Sequence, residues 1–144
     1  MAQAHKPLPD CTIFLLAKAY QKAHGRFKEM LKPYGLTNLQ HLVLEGLWHE
    51  SGQTAAELGK MLVMDKATLS GVLDRMSDAG WIEKHPDTVD RRVVRLYPTR
   101  RADDQKPELI ELRQRANDEL LEGFSVEEQM LLKRFLWDLM DMPR

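Results

Sequence analysis

A change of hydrophobic period near residue 80 constrains the fold of this chain more than any other feature. Between residues 65 and 79 the apolar side chains recur at the spacing of one helix face, at Leu69, Val72, Leu73 and Met76. Gly80 favours a helix end, and residues 81–85 and 93–97 are rich in β-forming side chains. The sequence therefore predicts an amphipathic helix followed directly by a β-hairpin.

Three capping boxes mark where other helices begin. Thr37, Thr54 and Ser125 are each followed three residues later by Gln or Glu. In such a box the hydroxyl and the later side chain each accept a hydrogen bond from a backbone N–H of the first turn. The boxes predict helices that end near Glu50, Leu62 and Met140.

Two further helices are predicted from single capping residues. Asp10 is expected to cap a helix that follows a loose arm over residues 1–9. Thr99 is expected to cap another, in which Pro107 predicts a kink or an irregular start.

This order of elements predicts a mainly α fold with one small β-hairpin. A short helix, a tight turn, a second helix with Asp65 as its N-cap and then a hairpin form a winged helix-turn-helix. We expect this winged lobe to span residues 36–99. Residues 10–35 and 100–142 are expected to form helices outside the lobe.

The terminal helices carry more apolar surface than one small lobe can cover. In the C-terminal segment the apolar side chains are Leu109, Leu112, Leu120, Phe124, Leu132, Phe135, Leu136 and Leu139. Two copies of the chain would bury this surface between them, and two-fold symmetry would place their exposed helices one turn of DNA apart. We therefore expect the N- and C-terminal helices to form the interface of a homodimer, with a closed monomeric bundle as the alternative.

The exposed face of the helix over residues 65–79 is suited to contact a major groove. Its side chains are small and hydrogen-bonding near the N-terminus and cationic toward the C-terminus, which suits base edges and phosphates respectively. The candidate DNA-binding residues on this helix are Lys66, Thr68, Ser70, Gly71 and Arg75. An ordinary solvated surface helix is the alternative.

Arginines on the predicted hairpin favour the DNA-binding interpretation. Residues 91–101 contain five arginines and no acidic residue, although the net charge of the chain is −1. A guanidinium at a hairpin tip fits the negative potential of a narrow minor groove. The candidates are Arg91 and Arg92 at the tip, with Arg95 on the returning strand. Asp90 would repel phosphates, so we expect it to hold a neighbouring arginine in position. A merely solvated loop is the alternative.

Composition argues against several other classes of protein. The single cysteine excludes a disulfide framework and a cysteine-cluster metal site. The apolar runs are too short for a membrane span and no secretory signal is visible, so we expect a soluble, cytoplasmic protein with no membrane partner. No nucleophilic triad, glycine-rich phosphate loop or metal-ligand spacing is present, so we expect no enzyme activity, cofactor or metal.

Several stretches together resemble the multiple-antibiotic-resistance regulator (MarR) family over about residues 10–142. They are LTNLQHLVL from Leu36, TAAEL from Thr54, DKATLSGVLDRM from Asp65, GWIEK from Gly80 and DRR from Asp90. The resemblance implies a homodimeric bacterial transcription factor with interlocking N- and C-terminal dimerisation helices. Such a factor binds a pseudo-palindromic operator, usually as a repressor released by a small ligand. It also implies DNA contacts by Lys66, Thr68, Ser70 and Arg75, with Arg92 at the wing tip.

In that family a small organic effector lies between the first two helices and the DNA-binding lobe. Tyr20, His24, His41 and Glu45 are the residues here that could orient an aromatic or acidic ligand. The alternative is that they are satisfied interface residues.

Two other functions stay open from the sequence. Cys11 lies at the start of the first helix, where the helix dipole lowers a thiol pKa, so a thiol-responsive regulator is one alternative. A winged-helix protein-interaction module without DNA binding is the other, and it would show no salt-dependent binding to DNA.

Overall fold

A computed structural model describes residues 8–141 of the chain, so the first seven residues of the predicted arm and residue 142 of the predicted C-terminal segment lie outside the described residues. Short 3₁₀ turns occupy Leu8–Asp10 and Lys32–Tyr34. The helices and strands are α1 (Thr12–Leu31), α2 (Asn38–His49), α3 (Ala55–Leu62), α4 (Lys66–Asp78), β1 (Ile82–Pro86), β2 (Val94–Pro98), α5 (Arg100–Leu121) and α6 (Val126–Leu139). The predicted order of elements is confirmed.

The predicted caps form in all but one case. Both halves of the capping boxes at Thr37, Thr54 and Ser125 are present, and the side chains of Asp65 and Thr99 each accept from the backbone N–H three residues on. These caps satisfy N–H groups that a helix start leaves without an intrahelical partner.

The prediction that Asp10 caps α1 is wrong. Asp10 ends the preceding 3₁₀ turn, and the N-cap position falls on Cys11, whose side chain makes no capping hydrogen bond. Because of this turn, the first intrahelical hydrogen bond runs from the Leu15 N–H to the carbonyl of Cys11. It begins one residue later than a cap at Asp10 predicts.

Helix α5 runs unbroken past Pro107. Its start is regular, with Asp103 N–H donating to the carbonyl of Thr99 at 3.0 Å. The proline ring lacks an N–H, so it cannot donate to the carbonyl of Asp103 one turn earlier. The helix therefore tolerates one missing hydrogen bond in its exposed second turn.

The hairpin is antiparallel and is extended by a third short segment. Its register pairs Ile82 with Pro98 and Pro86 with Val94. Before α3, Gln53 forms an isolated bridge with Leu96, and Leu96 N–H donates to the Gln53 carbonyl at 2.9 Å. The middle of β2 is thereby joined to the segment that leads into the helix-turn-helix.

The core lies where α2, α3, α4, α5 and the hairpin meet. The four apolar residues predicted to share one face of α4 are all at most 3% exposed. Trp81, Ile82 and Leu96 of the hairpin and Leu109 of α5 belong to the same buried cluster. Full burial of an aliphatic side chain is worth about 1.5–3 kcal/mol, so this cluster holds the helix-turn-helix and hairpin as one unit with α5.

Helix α6 has no such core. Among the described residues, none of its side chains is buried, and Val126, Met130 and Phe135 are at least half exposed. Ile13 and Tyr20 on α1 are also exposed. The described chain therefore does not close into the monomeric bundle that was the alternative to a dimer.

No helix within residues 8–141 combines the length and the apolarity needed to cross a membrane.

Candidate nucleic-acid interface

The start of α4 is fixed by a double hydrogen bond between Asp65 and Thr68. Thr68 N–H donates to Asp65 Oδ1 at 2.9 Å, and the Thr68 hydroxyl donates to Oδ2 at 2.7 Å. These bonds lower the pKa of Asp65 below its ordinary value because they stabilise the ionised carboxylate. The hydroxyl proton is thus engaged by Asp65, although the Thr68 side chain stays exposed.

The other predicted contact residues of α4 are accessible. Lys66, Ser70 and Arg75 are exposed, whereas Gly71 is half-buried. A Cβ atom at Gly71 would lie 3.5 Å from Nη1 of Arg75. This is an ordinary van der Waals distance, so the Arg75 guanidinium lies directly beside Gly71 on the helix.

The loop of the hairpin is organised around Asp87. Oδ2 of Asp87 accepts from the backbone N–H groups of Val89 and Asp90 at 3.1 and 3.0 Å, and Oδ1 accepts from Nε of Arg95 at 2.5 Å. These donors, with Arg95 first, lower the pKa of Asp87 to about 2. The ionised Asp87 carboxylate therefore helps to order the loop, together with the backbone hydrogen bonds between Asp87 and Val93 and between Val93 and Asp90.

Asp90 holds Arg92, as predicted. Nε and Nη2 of Arg92 donate to the two carboxylate oxygens of Asp90, each at 3.1 Å. The Arg92 side chain is nevertheless 91% exposed, and Arg91 beside it is exposed as well. The hairpin tip thus projects two guanidinium groups into solvent, one of them in a fixed pose.

Arg95 lies at the base of the loop and not at its tip. Besides its bond to Asp87, its Nη1 donates to the carbonyl of Gly52 at 2.9 Å, and the side chain is about one-third exposed. Arg95 therefore lies on the returning strand, as predicted, but its guanidinium is engaged by Asp87 and Gly52.

One contact that the sequence did not predict joins the hairpin to α4. Nζ of Lys84 on β1 lies 2.6 Å from Oδ1 of Asp74 on α4. Opposite charges ten residues apart give no local signal, because their proximity depends on how the strand packs on the helix. The pair also compensates the acidic side chain on the exposed face of α4.

The predicted effector residues divide into two groups. Tyr20 and His24 line a cavity of about 250 Å³ together with Phe27, Asn38 and Arg113. This cavity lies between α1, the start of α2 and α5.

The other two predicted effector residues lie beside that cavity, in the contact between α2 and α5. Nε2 of His41 lies 3.0 Å from the carbonyl of Leu109, and Glu45 is ion-paired with Arg113. Burial lowers the pKa of His41, which favours the neutral ring that donates to Leu109. Arg113 and Asn38 were missed because the crossing of α5 over α2 cannot be read from local periodicity.

Cys11 is a free thiol, half-buried before the first turn of α1. Within the described residues, no group of three or more His, Cys, Asp or Glu side chains is placed to hold a metal ion.

The helix-turn-helix and the hairpin, which carries exposed arginines at its tip, together define a winged-helix DNA-binding protein. The model of the MarR family matches residues 36–94, which contain both elements. MgrA, an HTH-type transcriptional regulator of Staphylococcus aureus, is 31% identical over 76% of this chain and 74% of its own. The chain belongs to the MarR family and is a DNA-binding transcriptional regulator.

Other similarities agree with this assignment. The HTH-type transcriptional regulator TtmR of Methylorubrum extorquens is 33% identical over 62% of this chain, and the chain spans only 47% of the length of TtmR. A crystal structure of a MarR variant from E. coli in complex with operator DNA superposes with a TM-score of 0.80 and 28% identity, covering 87% of this chain and 90% of that one.

Proposed function

We propose that this regulator acts as a homodimeric repressor that binds a pseudo-palindromic operator and releases it when a small organic effector binds. One observation carries the DNA-binding part of the proposal: an accessible α4 face and an exposed Arg92 belong to one packed unit, in which Lys84 ties the hairpin to α4. A helix for the major groove and an arginine for the adjacent minor groove then form a single footprint.

Each DNA-binding residue has a role in this footprint. Thr68 and Ser70 contact base edges, Gly71 permits a close approach, and Lys66 and Arg75 contact phosphates. On the hairpin, Arg91 and Arg92 enter or flank the minor groove. Arg95 supports the loop from behind, because its guanidinium is engaged by Asp87 and the Gly52 carbonyl.

Dimerisation follows from the apolar surface of the terminal helices. Trp137, Leu136 and Leu139 on α6 are each more than a third exposed, and so is Leu16 on α1. A monomer that left these apolar side chains in water would be prone to association. A two-fold assembly covers them and sets the spacing of the two α4 helices.

The effector site of this proposal is the 250 Å³ cavity between α1, α2 and α5. Aromatic rings line one part of it, with the centroids of Tyr20 and His24 5.2 Å apart, and Arg113 lines another part. A small pocket with an apolar lining and a few polar groups suits a small organic molecule.

A mobility-shift assay with the DNA upstream of the protein's own gene tests the proposal. We expect a discrete complex whose affinity falls steeply as salt rises, because each neutralised phosphate releases counterions. Complete absence of salt-dependent binding to this DNA and to a randomised operator pool would contradict the proposal and would favour a protein-interaction module.

A further inference from the structure

The start of α5 binds three consecutive carbonyl groups at the point where α4 ends and the hairpin begins. Nη1 of Arg101 donates to the carbonyl of Ala79 at 2.8 Å. The hydroxyl of Thr99 donates to the carbonyl of Gly80 at 2.8 Å, and the Thr99 N–H donates to that of Trp81 at 3.1 Å. The last carbonyls of a helix have no intrahelical donor. Here α5 supplies donors to the chain at that end of α4.

The Arg101 guanidinium is held in place by a second contact. Its central carbon lies 4.2 Å from the centroid of the Trp81 ring, which is only 2% exposed and belongs to the buried core. A guanidinium over an indole face is attracted by the charge distribution of the ring. Arg101 itself is exposed, so its side chain joins the core of the winged lobe to the end of α4 from outside.

The second half of α4 needs an anchor of its own. Gly71 lies in the middle of this 13-residue helix, directly after a serine, and Gly/Ser pairs are places where helices bend. The cap at Asp65 therefore fixes the first half of α4 more firmly than the second. The second half carries Arg75, whose carbonyl accepts from the Ala79 N–H at 3.0 Å. The proposed phosphate contact and the carbonyl that Arg101 binds thus lie one turn apart.

We propose that Arg101 is a positioning residue for operator recognition, which holds the C-terminal half of α4 against α5 without contacting DNA itself. This rests on the use of α4 for operator binding proposed above, and it assigns a role to a residue outside that footprint. Because α5 also belongs to the proposed dimer scaffold, Arg101 ties each α4 to the part of the assembly that spaces the two copies.

The ratio of specific to non-specific affinity separates a positioning residue from a phosphate contact. A phosphate contact strengthens binding to every sequence and steepens its salt dependence, whereas a displaced helix loses base contacts on the operator alone. Fluorescence anisotropy over a salt series measures both affinities, with an operator selected from a randomised pool and with a scrambled duplex of the same length.

Arg101→Ala should weaken binding to the operator about tenfold, the usual cost of one mismatched base pair. Its affinity for the scrambled duplex should stay within about twofold of the wild type, and the log–log salt slope should not change. Arg100→Ala is the matched control, since it removes the same charge from the neighbouring exposed position. This control should keep the wild-type ratio of the two affinities.

Two more substitutions connect the effect to the contacts that Arg101 makes. Arg101→Lys keeps a cation that can lie over Trp81 and a donor for Ala79, so it should recover part of the lost ratio. Arg101→Met keeps the aliphatic stem but has neither the charge nor the donor, so it should behave like Arg101→Ala. The thermal midpoint of each variant is measured first, and binding is compared well below the lowest midpoint.

Amide exchange gives a local measurement that needs no DNA. The N–H groups of Ala79, Gly80 and Trp81 donate to carbonyls of residues 75–77 and close the end of α4. In Arg101→Met their protection, relative to the intrinsic exchange rate, should fall because that end is less firmly held. The protection of Leu44 in the core should stay at the wild-type value.

Equal losses on the operator and the scrambled duplex, with a salt slope shallower by about 0.9, would make Arg101 a phosphate contact and overturn the proposal. An unchanged ratio of affinities, the same fall in Arg100→Ala, or unchanged protection at residues 79–81 would also overturn it. Ser70→Ala, measured on the same duplexes, keeps the two proposals apart. If it alters base preference while the Arg101 series does not, the α4 footprint stands and only the positioning role is rejected.

Discussion

Lys84 on strand β1 and Asp74 on helix α4 form an ion pair of 2.6 Å that joins the hairpin to α4. Both side chains lie at the surface, so the pair contributes little to the stability of the fold. Its effect is electrostatic, because it compensates a carboxylate on the helix face that we propose as the DNA-binding face.

Lys84→Ala should therefore weaken operator binding about twofold to fivefold while changing the free energy of unfolding by less than about 1 kcal/mol. Adding Asp74→Asn to this variant should restore part of the affinity, because the uncompensated carboxylate is gone. Fluorescence anisotropy with labelled operator measures both variants. If the second substitution restores nothing, Lys84 contacts a phosphate itself and the compensation argument fails.

Arg92→Ala should weaken operator binding and make its salt dependence less steep by about 0.9 in the log–log slope, the contribution of one phosphate contact. The side chain is almost fully exposed at the wing tip, so its removal should leave the fold intact. Arg115→Ala, an exposed arginine on α5, is the charge-matched control and should change neither quantity. An Arg92 variant with wild-type affinity and slope would remove the wing tip from the footprint.

Ser70→Ala should change the sequence preference of the protein more than its non-specific affinity, since hydroxyl contacts to base edges carry sequence information. Lys66→Ala should do the reverse and lower affinity evenly across sequences. Selection from a pool of randomised operators, sequenced before and after binding, distinguishes the two outcomes. An even loss for Ser70→Ala would place that hydroxyl on the DNA backbone instead.

The order of the wing loop should persist to very low pH because it depends on ionised Asp87. The pKa of this carboxyl is lowered from 3.8 to about 2, chiefly by Arg95. A depressed carboxyl pKa contributes stability that is fully present above 3.8 and is lost as the pH falls through about 2. The protection of the Val89 and Asp90 amides against exchange, measured by NMR relative to the intrinsic exchange rate at each pH, should therefore fall only in that acidic range.

Asp87→Asn is the companion variant, because it removes the charge that titrates. Its loop amides should exchange faster than those of the wild type at neutral pH, and the difference should vanish near pH 2. Equal exchange rates at neutral pH would mean that apolar contacts, and not Asp87, hold the loop.

Phe135→Glu should convert a dimer into monomers. The ring is half exposed in the single chain, and burying a new carboxylate in an apolar interface is costly. Light scattering after gel filtration gives the mass directly. Lys133→Gln on the same exposed helix makes an equal change in net charge and should leave the dimer intact; monomers in the wild type would contradict the proposed assembly.

Local patterns made most of the fold predictable. The capping boxes and the apolar face of α4 depend on residues within a turn or two of each other. The local sequence therefore predicts where these helices begin and which face of α4 is buried. Asp10 shows the limit even here. A 3₁₀ turn ahead of α1 places the N-cap at Cys11. The suitability of Asp10 as a capping residue does not indicate that this turn precedes the helix.

The site was less predictable because its geometry depends on packing between distant elements. The exposed arginines of the wing could be located from the loop sequence, but Arg95 turns toward Asp87 and Gly52 only because the third short segment lies beside β2. Likewise, the four predicted effector residues separate into a cavity wall and a helix contact. The crossing of α2 and α5 determines which α5 side chains contact α2. The periodicity within either helix does not encode that crossing.

The guanidinium of Arg95 and the backbone bridge between Gln53 and Leu96 fasten the hairpin to the chain just ahead of α3. A hairpin anchored at that point cannot swing by itself while the helix-turn-helix stays still. In an assembly of two such chains, the tilt of each lobe as a whole then determines the distance between the two hairpins. A molecule that loosened the scaffold would change the spacing of both α4 helices and both hairpins together, so that they no longer matched the repeat of the double helix.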